Sequence, residues 1–156
     1  MPEIRRANRD DVPELTEMWD EFMEYHRDLR EWAYTLDDGA HERIDQRFME
    51  YMDGNDKLVL TVMNEDEPAG FAVARVEDAS DVFDVGDKVR ITDFYLRPSI
   101  RGQNVGTQLV EWITEWGRGK GADKLVMSID AENEAGRKFW EALGFECTKQ
   151  TYLTDL

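Results

Sequence analysis

The stretch Leu96-Arg97-Pro98-Ser99-Ile100-Arg101-Gly102-Gln103-Asn104-Val105-Gly106-Thr107 decides how the chain is read. Before it lies a run of β-forming residues, Val89 to Leu96. After it, Val105, Leu109, Trp112, Ile113 and Trp116 recur at helical spacing. A strand therefore ends at a proline, a short loop follows, and a helix begins near Asn104. Gly102 and Gly106 let the backbone approach a ligand with no Cβ in between. The first-turn N–H groups of a helix have no intrahelical partners, and with the helix dipole they form an anion site. Arg101 adds a full charge and a fork of donors. These residues suit a pyrophosphate. The spacing is not that of a P-loop, because no Gly-Lys-Ser/Thr follows, nor is it Gly-x-Gly-x-x-Gly.

Outward from this loop the chain alternates between strands and helices. Ile4 to Ala7 reads as a first strand. A helix over 11–30 follows, capped by Asp10 or Asp11, with Val12, Leu15, Trp19, Phe22, His26 and Leu29 along one face. Ile44, Phe48, Tyr51 and Met52 mark a second helix, ended by Asp53-Gly54-Asn55. Leu58 to Met63 and Ala69 to Val76 form a hairpin around Asn64-Glu65-Asp66-Glu67-Pro68. An acidic loop, 77–87, leads into the Val89–Leu96 strand. Past the loop and its helix come a strand at Leu125 to Ile129, a helix at Glu132 to Leu143 stopped by Gly144, and a last strand at Phe145 to Leu153. The predicted order is β-α-α-β-β-β-α-β-α-β, a mixed α/β class with helices flanking a central sheet.

Length and composition bound the rest. At 156 residues the chain suits one domain, 1–156, with a core that needs no disulfide or metal. No apolar run is long enough to span a membrane, and Met1-Pro2-Glu3-Ile4-Arg5-Arg6 is no apolar leader, so a cytoplasmic location is expected. Cys147 alone rules out a disulfide framework. His26 and His41 alone make a histidine metal cluster an unlikely feature, so no metal is expected. The net charge is −16, which argues against nucleic acid as a partner. The bias is towards Asp and Arg over Lys, as in surfaces adapted to high salt, and it also permits a cationic ligand. Residues 1–100 carry −14 of this charge and residues 101–156 only −2. The near-neutral third contains the anion loop.

Two motifs in tandem give the chain a likeness. Arg101-Gly102-Gln103-Asn104-Val105-Gly106 follows Arg/Gln-x-x-Gly-x-Gly/Ala at every position but Asn104. Asn133 to Phe145 carries an Asn at a strand–helix junction, then Phe139-Trp140, then Gly144-Phe145. Over nearly its whole length the sequence resembles the GNAT superfamily of acetyl-CoA-dependent N-acetyltransferases. The resemblance implies a mixed, mostly antiparallel central sheet flanked by helices, and acetyl-CoA as donor. It implies that the backbone at Phe94, Tyr95 and Leu96 pairs with the pantetheine arm. A bulge there would splay the strand from 126–129. The loop Arg101, Gly102, Gln103, Asn104, Val105, Gly106 and Thr107 would hold the pyrophosphate, and Asn133 would touch the arm near the thioester. The first two helices and loop 77–87 would build the acceptor site. Homodimers are common in that superfamily.

Two positions depart from the pattern. Asn104 stands where Gly is usual, and Asn tolerates left-handed backbone better than other side chains. Trp140 stands where many members carry a Tyr that protonates the leaving thiolate, and an indole N–H is no acid. The strand Thr92-Asp93-Phe94-Tyr95-Leu96 also looks like that of polyamine acetyltransferases, apart from Thr92 and Trp140, where Glu and Tyr are usual.

An ammonium near pKa 10.4 costs about 4–5 kcal/mol to deprotonate at pH 7, so a base is needed near the acceptor. Asp93 is the only carboxylate on its strand and the first candidate. Strict alternation would put it on one face with Ile91 and Tyr95. Tyr95 is a candidate proton donor, and Glu24 and His26 are further candidates on the first helix. Tyr25, Trp32 and Tyr34 lie among acids, a mixture that suits a cation. Two functions follow: acetyl transfer to a small-molecule or peptide amine, with a polyamine among the candidates, or non-catalytic binding of an acyl-CoA.

Overall fold

The hydrophobic alternation of the hairpin strands organises the structure, a computed structural model that describes Met1 to Leu156. Strand β1 (Pro2–Arg6) leads into α1 (Val12–Leu29), a short α2 (Glu31–Tyr34) and α3 (Ala40–Asp53). Strands β2 (Lys57–Asn64), β3 (Glu67–Glu77) and β4 (Lys88–Leu96) follow, then α4 (Val105–Gly119), β5 (Lys124–Met127) and α5 (Glu134–Ala142). The five strands form one sheet in sequence order, antiparallel throughout except for β4 and β5, which are parallel.

The sheet is buried on both faces, so β2 and β3 read as near-continuous apolar runs. Leu58, Leu60, Val62, Ala72 and Ala74 face one cluster, completed by α4 and α5 through Leu109, Ile113 and Trp140. Val59, Phe71 and Val73 face the other, completed by α1 and α3 through Leu15, Met18 and Phe48. The mixed, mostly antiparallel sheet flanked by helices is thus the observed architecture.

The helix expected over 11–30 forms as Val12–Leu29 and ends at Arg30 (φ −158°, ψ 81°), where the guanidinium is engaged by Asp130. Three details differ from expectation. Strand β5 stops at Met127 because β4 leaves it beyond Ile91. No strand forms at Phe145 to Leu153. Phe145 instead turns back, donating its N–H to the Trp140 carbonyl at 3.1 Å and setting its ring 5.0 Å from the indole. Beyond it no neighbouring backbone is in reach to complete a ladder, and Cys147 is exposed.

The third detail is in β4. Val73 pairs with Asp93 and Ala74 with Ile91, so Thr92 is an extra residue without a partner on β3. Such a bulge reverses the side-chain alternation beyond it. Ile91 therefore belongs to the cluster under α4, while Tyr95 belongs to the cluster under α1 and α3. The single face expected for Ile91, Asp93 and Tyr95 does not exist.

Candidate active site

The bulge is also where the sheet opens. Parallel pairing between β4 and β5 covers only Lys88–Ile91 against Lys124–Met127. From Thr92 to Leu96 the edge of β4 turned away from β3 has no strand beside it. A narrow cavity of about 60 Å³ occupies the gap, lined from β4 by Thr92, Asp93 and Phe94 and from beyond β5 by Ser128 and Asn133. His26 and Trp140 close its sides. A larger cavity, about 330 Å³, lies on the α1 and α3 side of the sheet. Trp19 comes from α1, and Ile44, Arg47, Phe48 and Tyr51 from α3. Val73 and Arg75 on β3 complete it with, again, Thr92 and Asp93. The two bulge residues are the ones common to both cavities.

Asp93 is half-buried, and the loss of solvent pushes its carboxyl up to about 6; the Arg47 charge and the Thr92 hydroxyl pull the other way. A carboxylate so poised can take a proton near neutral pH. His26 is buried, with Nδ1 2.8 Å from the Phe22 carbonyl. That bond puts the ring proton on Nδ1 in the neutral form and leaves Nε2 as an acceptor at the narrow cavity.

Tyr95 is not brought to either cavity. Its hydroxyl donates to Glu21 Oε1 at 3.0 Å, in a group with Arg97, whose Nη2 is 2.7 Å from Glu21 Oε2. Burial and the Glu21 carboxylate push the phenol up to about 12. Glu24 is exposed and lines neither cavity. Loop 77–87, which joins β3 to β4, contributes no residue to either lining.

The loop after β4 presents a row of free backbone N–H groups. Gly102 (φ 79°) and Asn104 (φ 65°) both take the left-handed conformation, and Asn104 caps α4. From Gly102 through Thr107 no backbone N–H has an acceptor within the protein; the first helical bond is Gln108 N–H to the Asn104 carbonyl, 3.2 Å. Val105 and Gly106 are buried among these. A Cβ on Gly106 would stand 3.0 Å from the Phe139 ring, so glycine keeps α4 close to α5. Arg101 Nε donates to the Leu96 carbonyl at 2.8 Å, which holds its guanidinium beside these N–H groups. Gln103 Nε2 donates to the Ser99 carbonyl at 3.2 Å. An open strand edge leading to an unsatisfied row of N–H groups fits an extended arm with a pyrophosphate.

The matching family model is that of the acetyltransferase (GNAT) family, and it covers residues 14–145. The chain belongs to the GNAT family. An aminoglycoside N(6')-acetyltransferase type 1 of Salmonella typhimurium is 32% identical over 82 residues, 52% of this chain and 57% of that enzyme. The chain therefore spans little more than half the length of that relative. A peptidyl-lysine N-acetyltransferase, YjaB, of the same bacterium is 24% identical over 156 residues, 100% of this chain and 91% of the other. Among solved structures, a predicted acetyltransferase with acetyl-CoA from Clostridium acetobutylicum superposes with a TM-score of 0.80 at 16% identity, covering 99% of this chain and 96% of that one.

In this GNAT chain, Asn133 caps α5. Its Oδ1 accepts from Gly136 N–H at 2.9 Å and from the Tyr25 hydroxyl at 2.9 Å. Tyr34 donates to Asp130 Oδ2 at 3.2 Å, beside the Arg30–Asp130 pair at 2.9 and 3.1 Å. The aromatic residues expected to meet a cation thus tie α1 and α2 to the turn between β5 and α5, except Trp32, which is exposed. Sequence reasoning passed over Trp19 and Arg47. Arg47 left a signal: it sits three residues after Ile44 and four before Tyr51, an arginine beside the apolar stripe of its helix.

Proposed function

We propose that this chain transfers an acetyl group from acetyl-CoA to an amine, by direct attack with both substrates bound. The observation that carries this reading is the β4 bulge, where Thr92 and Asp93 join a narrow cavity on the open strand edge to a wide one under α1 and α3. The narrow cavity and the cradle of residues 101–107 suit the donor, the wide cavity the acceptor. N–H groups on the free edge of β4 are available to polarise the thioester carbonyl. Asp93 is the group to which the acceptor gives a proton. The N–C bond forms as the C–S bond breaks. Of the two protons the ammonium loses, one passes through Asp93 to solvent and the other ends on the coenzyme sulfur. Trp140, 4.9 Å from the Phe94 ring, packs against this site and cannot supply a proton. The sulfur therefore leaves as thiolate and is protonated by water, a modest burden for a thiol of ordinary acidity.

The relatives named for aminoglycosides and for peptidyl-lysine support an amine acceptor as a class. The test is thiol release from acetyl-CoA against a panel of amines, with product detected by mass spectrometry. Acetylated product is expected. Tight acetyl-CoA binding with no product from any amine would instead make the chain an acyl-CoA-binding module, the reading that Trp140 favours.

A further inference from the structure

The wide cavity has a charge that the rest of the molecule does not. In a chain with 35 acidic residues, its lining holds two arginines and one carboxylate. Arg47 makes no ion pair and no hydrogen bond within the protein, and its charge acts on Asp93. Arg75 donates to the Tyr51 hydroxyl at 3.2 Å and lies 3.5 Å from Glu77. Glu77, however, is also bound by Arg90, so one carboxylate serves two guanidiniums. The lining thus combines two guanidiniums with a single carboxylate, Asp93, and with the Trp19 and Phe48 rings. The Arg47 residue is exposed to solvent.

A polycation entering here would place ammonium groups beside Arg47 and Arg75 with a single carboxylate to offset them. An amine that carries its own anion meets complementary charge at both ends. A guanidinium recognises a carboxylate through two parallel N–H···O bonds, which the free fork of Arg47 can supply. At about 330 Å³ the cavity is at the small end of ligand sites, a size for one amino-acid-like molecule.

We propose that the acceptor is a small primary amine bearing a carboxylate, with Arg47 holding the carboxylate and Asp93 meeting the amine. This rests on the acetyl-transfer reading above. Arg47 is then a specificity residue that touches substrate without taking part in bond changes.

The experiment compares L-amino acids with their decarboxylated amines in pairs, L-phenylalanine with phenethylamine and L-leucine with isopentylamine, and adds spermidine and kanamycin as polycations. Calorimetry with the coenzyme A complex measures binding, and thiol release from acetyl-CoA measures turnover. The carboxylate-bearing member is expected to bind, and to show a kcat/KM, about ten- to hundredfold more favourably. Arg47→Gln should raise KM for that member by a similar factor, well beyond any change it makes in the KM of the plain-amine partner, with coenzyme A affinity unmoved. Arg47→Glu should reverse the preference. Equal or better binding of the plain amines or the polycations, or amino-acid binding indifferent to Arg47→Gln, overturns the proposal and leaves acetyl transfer intact. Selective binding of the carboxylate member without product overturns acetyl transfer and leaves the carboxylate subsite intact.

Discussion

Asp93 stands where folding and chemistry pull in opposite directions. Its carboxyl is raised from 3.8 to about 6 by burial. A group whose pKa is higher in the folded state stabilises the fold only while protonated. That contribution is complete below pH ~4, the unfolded value, and is lost as pH rises through 6. At neutral pH the ionised side chain therefore works against folding. Asp93→Asn is expected to raise stability at pH 7 by up to about 3 kcal/mol while lowering kcat by about 10²–10⁴. Thermal melts and steady-state kinetics on the two proteins check this together. In the wild type, kcat/KM should climb as pH passes about 6, when the basic form of Asp93 fills. A profile flat across that region would remove Asp93 as the base. Tyr95 belongs to a different group of contacts: its bond to Glu21 and the pairing of Glu21 with Arg97 anchor α1 to the end of β4.

Among the elements, the loop from Arg97 to Asn104 does the most with the least. Its chain reverses through left-handed positions at Gly102 and Asn104, and that path leaves the N–H groups of 102–107 without acceptors. Asn104 is tolerated because its short polar side chain is among the few that accept φ near 65°. Asn104→Gly should preserve both stability and coenzyme A affinity. Asn104→Ala should cost about 1 kcal/mol of stability and weaken coenzyme A binding, as the turn relaxes away from this path. Thermal denaturation and calorimetry with coenzyme A read the two effects separately. Loss of affinity in the Gly variant as well would mean that the amide side chain, rather than the backbone path, contributes to the site. The bulge in β4 is the complementary device: one extra residue ends the β4–β5 ladder and brings Asp93 round to the wide cavity.

Across the whole molecule, the helices over the site are tied to the far side of the sheet by a few long-range polar contacts. Arg30 and Tyr34 both bind Asp130, about 100 residues away in sequence, and Tyr25 binds Asn133. The Arg30 guanidinium holds the Asp130 carboxyl down to about 2, helped by the Glu132 N–H. Here the folded pKa lies below the unfolded one. The stabilisation is present above pH ~4 and disappears as pH falls through 2. Asp130→Asn should lower the Tm at pH 7, with the gap to wild type closing as pH approaches 2. Melts in a pH series test this, and a gap that persists undiminished at pH 2 would assign the loss to packing instead. The charge of −16 is uneven in space as well as in sequence: the wide cavity collects arginines, so the acidic surface does not describe what the cavity accepts.

Local patterns settled the mixed α/β class and the order of the elements as far as α5, apart from the short α2, because these follow from periodicity, capping and glycine placement within a dozen residues. The same patterns made Asp93 a candidate, as the one carboxylate in its strand. They could not place it, since a bulge is a property of two paired strands, and the extra residue at Thr92 is visible only against β3. Nor could they show that Arg47 has no partner, that Tyr95 is claimed by Glu21, or that Phe145 folds onto Trp140 instead of extending. Each of those depends on which distant groups the fold brings within reach of a given side chain. That competition among residues far apart in sequence is decided by the packed fold alone.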